Sequence, residues 1–160
     1  MSLEKFKEVD ATDIPIGKFI TMIGRGHALY LNHQLEPLNI NASQLHSLFE
    51  IKRNKSLNQD EIARRCNVDK GSVARSIRKL EEKGLIIKKI DENNRRQNII
   101  SLSEKGEEVL EKSQEILDKW EEEVFSDLSQ EEKETLQNTL KNIVIKTILF
   151  NQELKACKKE

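Results

Sequence analysis

Five residues within ten positions carry one kind of chemistry. Lys70, Ser72, Arg75, Arg78 and Lys79 offer ammonium, hydroxyl and guanidinium donors. Such donors meet the phosphate oxygens and base edges of a nucleic acid. Positions 71, 75, 78 and 79 fall at i, i+4, i+7 and i+8, one face of a helix, opposite Val73, Ile77 and Leu80. A helix fits a major groove, where residues at its N-terminal end reach base edges and later ones meet phosphates. That assigns Ser72 and Arg75 to bases, and Lys70 and Arg78 to backbone or mixed contacts. The competing reading is a solvated helix face on which Glu81 and Glu82 pair with nearby cations, each pair worth only ~0.3–0.5 kcal/mol. Arg95 and Arg96 add two guanidinium groups in a polar turn. An arginine on a hairpin tip can enter a minor groove and read its width. Against that stands an ordinary basic turn that merely decorates the hairpin.

The elements that must position these groups are legible around them. Asn58 with Glu61, and Asp69 before Lys70-Gly71-Ser72, are two helix starts in quick succession. The first helix carries Ile62 and Ala63 and ends near Cys66-Asn67. The second runs from Asp69 to Lys83 and stops at Gly84. Two short helices joined by about three residues match a helix-turn-helix. Leu85–Ile90 and Gln97–Leu102 are β-branched-rich runs separated by the turn-forming Asp91-Glu92-Asn93-Asn94, which predicts a hairpin. A hairpin directly after a helix-turn-helix is a winged helix.

Longer helices flank this unit. One lies between Pro15 and Pro37, with Ile16, Phe19, Ile20, Ile23, His27, Tyr30, Leu31 and Gln34 near one face. Another opens at Asn41-Ala42-Ser43-Gln44, a variant capping box. Ser103 caps a long helix with Val109, Leu110, Ile116, Leu117, Trp120 and Val124 on its stripe. Ser129-Gln130-Glu131-Glu132 caps a last helix bearing Leu136, Leu140, Ile143, Val144, Ile148 and Leu154. Those stripes must be covered, and a helical dimer interface is the economical cover. The expected fold class is therefore mainly α (α+β). Residues 1–40 form an N-terminal dimerisation region, 41–103 the winged helix-turn-helix, and 104–160 the C-terminal dimerisation helices.

Charge supports this division. The 160 residues are 34% charged but sum to only -1. Residues 52–98 hold 14 Lys/Arg against 7 Asp/Glu, a local net of +7, whereas 104–140 hold 4 Lys against 13 acids, a net of -9. The middle block suits a polyanion and the later block does not. No aromatic lies between Phe49 and Trp120. Single-stranded nucleic acids and RNA usually stack on exposed aromatics, so duplex DNA is the preferred partner. No apolar run approaches a membrane span and no secretory h-region opens the chain, so the expected compartment is the cytoplasm.

Catalytic signals are weak. None of the glycine-rich phosphate or dinucleotide motifs, nor Gly-x-Ser-x-Gly, is present. Glu107, Glu108, Glu111 and Glu115 recur at helical spacing, which reads as a solvated face. No enzyme activity, cofactor or metal site is expected. His27, His33, His46, Cys66 and Cys157 match no compact ligand spacing. His27 reads as a core histidine and Cys66 as a small buried hydrophobe. Gly24 and Gly26 inside a helical pattern either allow close helix packing in a dimer or leave room for a small ligand beside Arg25, Tyr30, His33 and His46.

Several motifs now combine. Leu57-Asn58-Gln59-Asp60-Glu61-Ile62-Ala63, Val68-Asp69-Lys70-Gly71-Ser72-Val73-Ala74-Arg75, Leu80-Glu81-Glu82-Lys83-Gly84-Leu85-Ile86, Asn94-Arg95-Arg96 and Leu102-Ser103-Glu104-Lys105-Gly106 stand in that order. In this order and spacing the sequence resembles the MarR-type family of multiple-antibiotic-resistance transcription regulators, from about Ile16 to Leu149. The resemblance implies an obligate homodimer, each subunit presenting a winged helix to half of a palindromic operator. It also implies repression relieved by a phenolic or other small anionic ligand held between the dimerisation helices and the winged helix. The family wing often reads Asp-x-Arg; here Asn94 stands at the Asp position and Arg96 matches the Arg. Two other readings stay open: a winged helix used for protein docking, and a redox- or metal-responsive regulator of the same fold.

Overall fold

The computed structural model describes residues 3–66, 68–90 and 97–157, with side chains described to residue 154. Seven α-helices and one hairpin are present among them: α1 (Leu3–Glu8), α2 (Ile16–Leu35), α3 (Ala42–Asn54), α4 (Gln59–Cys66), α5 (Lys70–Glu82), β1 (Ile86–Ile90), β2 (Asn98–Leu102), α6 (Glu104–Val124) and α7 (Gln130–Cys157). The chain divides into two compact units, the first ending at Asp118 and the second beginning at Lys119. The expected boundary at 103/104 falls within the first unit, so α6 begins in one unit and ends in the other.

Local signals set the helix starts. Asn41 Oδ1 accepts from the Gln44 N–H, and Gln44 Oε1 accepts from the Asn41 N–H, a full capping box at α3. Asn58 and Glu61 exchange the same pair of bonds at α4, each 2.9 Å. Ser129 and Glu132 do so at α7. The C-terminal stop of α5 is a Schellman turn: Leu85 N–H donates to Leu80 O and Gly84 N–H to Glu81 O. Gly84 takes φ +70, the left-handed conformation that turn needs.

The core of the first unit gathers one side of every element from α2 to α6. Leu35, Leu48, Ile51, Ile62, Ile77, Leu80, Leu85 and Ile100 are essentially sealed. The hairpin pairs antiparallel in the register Ile86↔Leu102 to Ile90↔Asn98. Leu57 adds a bridge to Ile100, its N–H donating at 3.0 Å and its carbonyl accepting at 2.8 Å. This bridge ties the α3–α4 connection to the base of the wing. The start of α6 docks tightly: a Cβ on Gly106 would lie 2.1 Å from Leu85 O, so only glycine fits.

Elsewhere apolar faces stay bare. In α2, Ile16, Ile20 and Ile23 are exposed, and only Leu31 and Leu35 are buried. In the second unit no described side chain is buried. Trp120 and Phe125 meet edge to face there at 5.6 Å. Among the described residues, no helix is long and apolar enough to cross a membrane.

Candidate nucleic-acid interface

Helices α4 and α5 meet as the spacing predicts. Ile62 and Ala63 of α4 and Val73, Ile77 and Leu80 of α5 are buried in one core. Burying that stripe forces the opposite side of α5 outward. Lys70, Arg75, Arg78 and Lys79 are exposed there, and Ser72 is half-buried. The first turn is fixed by Asp69, whose Oδ1 accepts from the Ser72 N–H at 2.8 Å. Its bonds with Ser72 hold the Asp69 carboxyl below the usual carboxylate range. A carboxylate at this end also matches the helix dipole.

The two residues expected to read bases are joined to each other: Arg75 Nη2 donates to Ser72 Oγ at 2.9 Å. A Cβ on Gly71 would stand 3.3 Å from Asp69 Oδ1, a tight approach, and 3.7 Å from Arg75 Nη1, an ordinary contact. The outer cations have carboxylate partners. Lys70 Nζ lies 3.0 Å from Asp60 Oδ1, and Arg78 Nε donates to Glu82 Oε1 at 2.9 Å. Both pairs are well exposed, so each is weak and readily exchanged for a phosphate. Asp60 is not among the site residues expected from the sequence, and Gly71 enters there only through its motif and its place on the outward face. Asp60 could have been suspected only from the proximity of two capped helices, because its partner lies on the next helix.

A polar cleft of about 270 Å³ separates the α4 start from the wing, lined by Asn58, Gln59, Asp60, Lys88, Gln97, Asn98 and Ile100. Asn58 Nδ2 reaches Gln97 Oε1 across it at 3.4 Å. The wing turn with Asn94, Arg95 and Arg96 lies outside the described residues. The strands leading to it are in place.

The residues offered for a small ligand are dispersed in character. Arg25, His33 and His46 are exposed, while Tyr30 is half-buried and its hydroxyl donates to Ile116 O at 3.2 Å. Cys66 is half-buried rather than fully buried, because α4 ends there and its last turn meets the edge of the core. Burial pushes its thiol up, away from the thiolate a redox sensor needs. His27 is also only half-buried, and desolvation lowers its pKa, favouring the neutral imidazole. Among the described residues, no group of three or more His, Cys, Asp and Glu side chains could hold a metal ion.

A helix-turn-helix backed by a hairpin, with a cationic outer helix, defines the winged-helix class of regulators. Residues 40–97 match the MarR family profile. A crystal structure of MarR aligns with a TM-score of 0.81 at 30% identity, covering 91% of this chain and 99% of that one. A cysteine-to-serine mutant of E. coli MarR complexed with operator DNA aligns with a TM-score of 0.73 at 26% identity, covering 84% and 99%. The HTH-type transcriptional regulator BilQ of Clostridium symbiosum is 29% identical over 125 residues, 78% of this chain and 87% of that protein. The chain belongs to the MarR family: it is a transcription regulator, not an enzyme.

Proposed function

We propose that the protein is a dimeric cytoplasmic repressor that reads a palindromic duplex operator and leaves it when a small phenolic or anionic ligand binds. One observation carries the reading: the buried Val73-Ile77-Leu80 stripe turns the cations of α5 outward, behind a capped first turn. In this assignment Ser72 and Arg75 address base edges, Lys70 and Arg78 make backbone or mixed contacts, Lys79 joins them on the DNA face, and Arg95 and Arg96 address the minor groove. The relative solved on operator DNA supports the same use of this fold. Bare apolar faces on α2 and α7 support a second copy as their cover. In that organisation residues 1–40 and 104–160 serve dimerisation and 41–103 serve DNA. The ligand step rests on the family resemblance and on the exposed Arg25, His33 and His46 and the half-buried Tyr30 on α2 and α3.

The test is fluorescence anisotropy of the purified protein on duplex from its own upstream region, with an unrelated duplex as control, across a salt series. Tight binding well above the control and a steep fall with salt are expected. Small phenolic anions should then release the duplex. Absence of binding at low salt would instead favour a protein-docking role.

A further inference from the structure

The end of α5 is tied to two neighbouring segments. Lys83 Nζ donates to the main-chain oxygen of Asn39 and, at 3.3 Å, to Gln44 Oε1. Gln44 is 4% exposed and its same oxygen closes the α3 capping box. The Lys83 side chain is therefore fastened to the corner between α2 and α3. The main chain beside it is fastened to α6. Ser103 Oγ donates to Gly84 O at 2.6 Å, Ser103 N–H to Leu85 O at 3.1 Å, and Lys105 Nζ to Lys83 O at 2.9 Å. Gly106 admits Leu85 O where no Cβ would fit.

Lys83 and Lys79 line a cleft of about 290 Å³ with Asn32, Glu36, Asn41 and Gln44 among its walls. Burial, aided by the Lys79 charge, holds the Lys83 ammonium below the usual lysine range. An ammonium tied to two acceptors that are themselves held in the fold is a clasp. A phosphate-seeking lysine keeps its head in water.

We infer that Lys83 is a positioning residue for base reading: anchored to Asn39 and Gln44, it sets the tilt of α5 and so aims Ser72 and Arg75. This rests on the DNA-reading function proposed above. The leverage is geometric. Helix α5 is 13 residues long. At 1.5 Å per residue that is roughly 20 Å, so a tilt of ~5° about its C-terminal end moves the first turn by about 1.7 Å. Hydrogen bonds to base edges do not survive such a displacement. Contacts to phosphates on flexible cations do, and they carry no sequence information.

The experiment compares wild type, Lys83→Met and Lys83→Arg by anisotropy on the upstream duplex and an unrelated duplex, across a salt series. Lys83→Met is expected to reduce the preference for the upstream duplex by on the order of tenfold. The slope of log K against log salt should stay unchanged, and Lys83→Arg should restore the preference. A slope that falls by about one, with the preference intact, would make Lys83 a phosphate contact and overturn the inference. So would a Lys83→Met protein indistinguishable from wild type. Where Lys83→Met does not fold by circular dichroism, Lys83→Gln replaces it, and a wild-type preference in that variant also overturns the inference. A wild type with no preference between duplexes overturns the DNA-reading function, and this inference with it.

Discussion

Helices α5 and α7 begin alike and end in opposite surroundings. Asp69 caps the first and the Ser129–Glu132 box caps the second. Yet α5 seals Val73, Ile77 and Leu80 to 2% exposure or less, while Leu140, Ile143, Val144, Ile148 and Phe150 of α7 remain 37% to 60% exposed. Caps fix where a helix starts, and an apolar face fixes that it must be covered. Neither says by what. In α5 the cover lies within the same unit, drawn from α3, α4 and the wing. In α7 the apolar residues lack a buried environment in the single chain, which is why a second copy is proposed there.

The sharpest way to break this contrast is to charge the bare face. Ile148→Asp on α7 should convert a dimer to a monomer in sedimentation while the first unit keeps its fold by NMR. Operator affinity should fall by roughly 100-fold or more, since two coupled half-sites become independent. A dimer that persists, with affinity unchanged, would show that α7 is covered by something else or by nothing.

Glycine substitutions carry the same contrast of covered and bare surfaces into the first unit. Gly106→Ala must push Leu85 O aside and should destabilise the first unit by about 1–3 kcal/mol in denaturant unfolding. Gly24→Ala and Gly26→Ala meet nothing within 4 Å in the single chain. They should leave the first unit intact, and any loss they cause should appear in self-association. Equal unfolding midpoints for Gly106→Ala and wild type would show that α6 docks differently from the geometry described.

A narrower test concerns the reading face. Arg75→Ala should cost roughly 1–3 kcal/mol on the preferred operator and relax its specificity. Because Arg75 is exposed and its bond to Ser72 is local to α5, thermal stability should hardly change. Unchanged affinity and unchanged discrimination, measured by anisotropy on matched and mismatched duplexes, would remove it from the base-reading set.

What was legible in the sequence is what short-range chemistry encodes. The Asn41–Gln44, Asn58–Glu61 and Ser129–Glu132 caps, the Val73-Ile77-Leu80 stripe and the Gly84 stop all depend on residues within a few positions of one another. The illegible features join distant segments. Leu57 bridges to Ile100, Lys70 pairs with Asp60, Lys83 reaches Asn39, and Gly106 receives Leu85 O. None has a periodic signature, because each depends on where the helices dock. Cys66 illustrates the same limit: its place at the helix end was readable, but its half-burial depends on where the core stops. Arg95 and Arg96 were read from their motif, and their turn lies outside the described residues.

The smallest expected effect separates the two caps by their consequences. Hydrogen bonds to Ser72 lower the Asp69 pKa, and bonds to Ser129 lower that of Glu132. A carboxyl whose folded pKa is depressed adds stability above its unfolded pKa, and that stability is lost as pH falls through the folded value. Both caps should therefore loosen only on acidification below the ordinary carboxylate range. Hydrogen exchange in the first turn of α5 should become faster there in wild type, and Asp69→Asn should flatten that dependence. Asparagine still caps, so the variant should keep α5 folded at neutral pH. On α7 the matching Glu132→Gln change should alter exchange at the Ser129–Lys133 turn and leave α5 untouched. A pH response at α5 that survives Asp69→Asn would place the titrating group elsewhere.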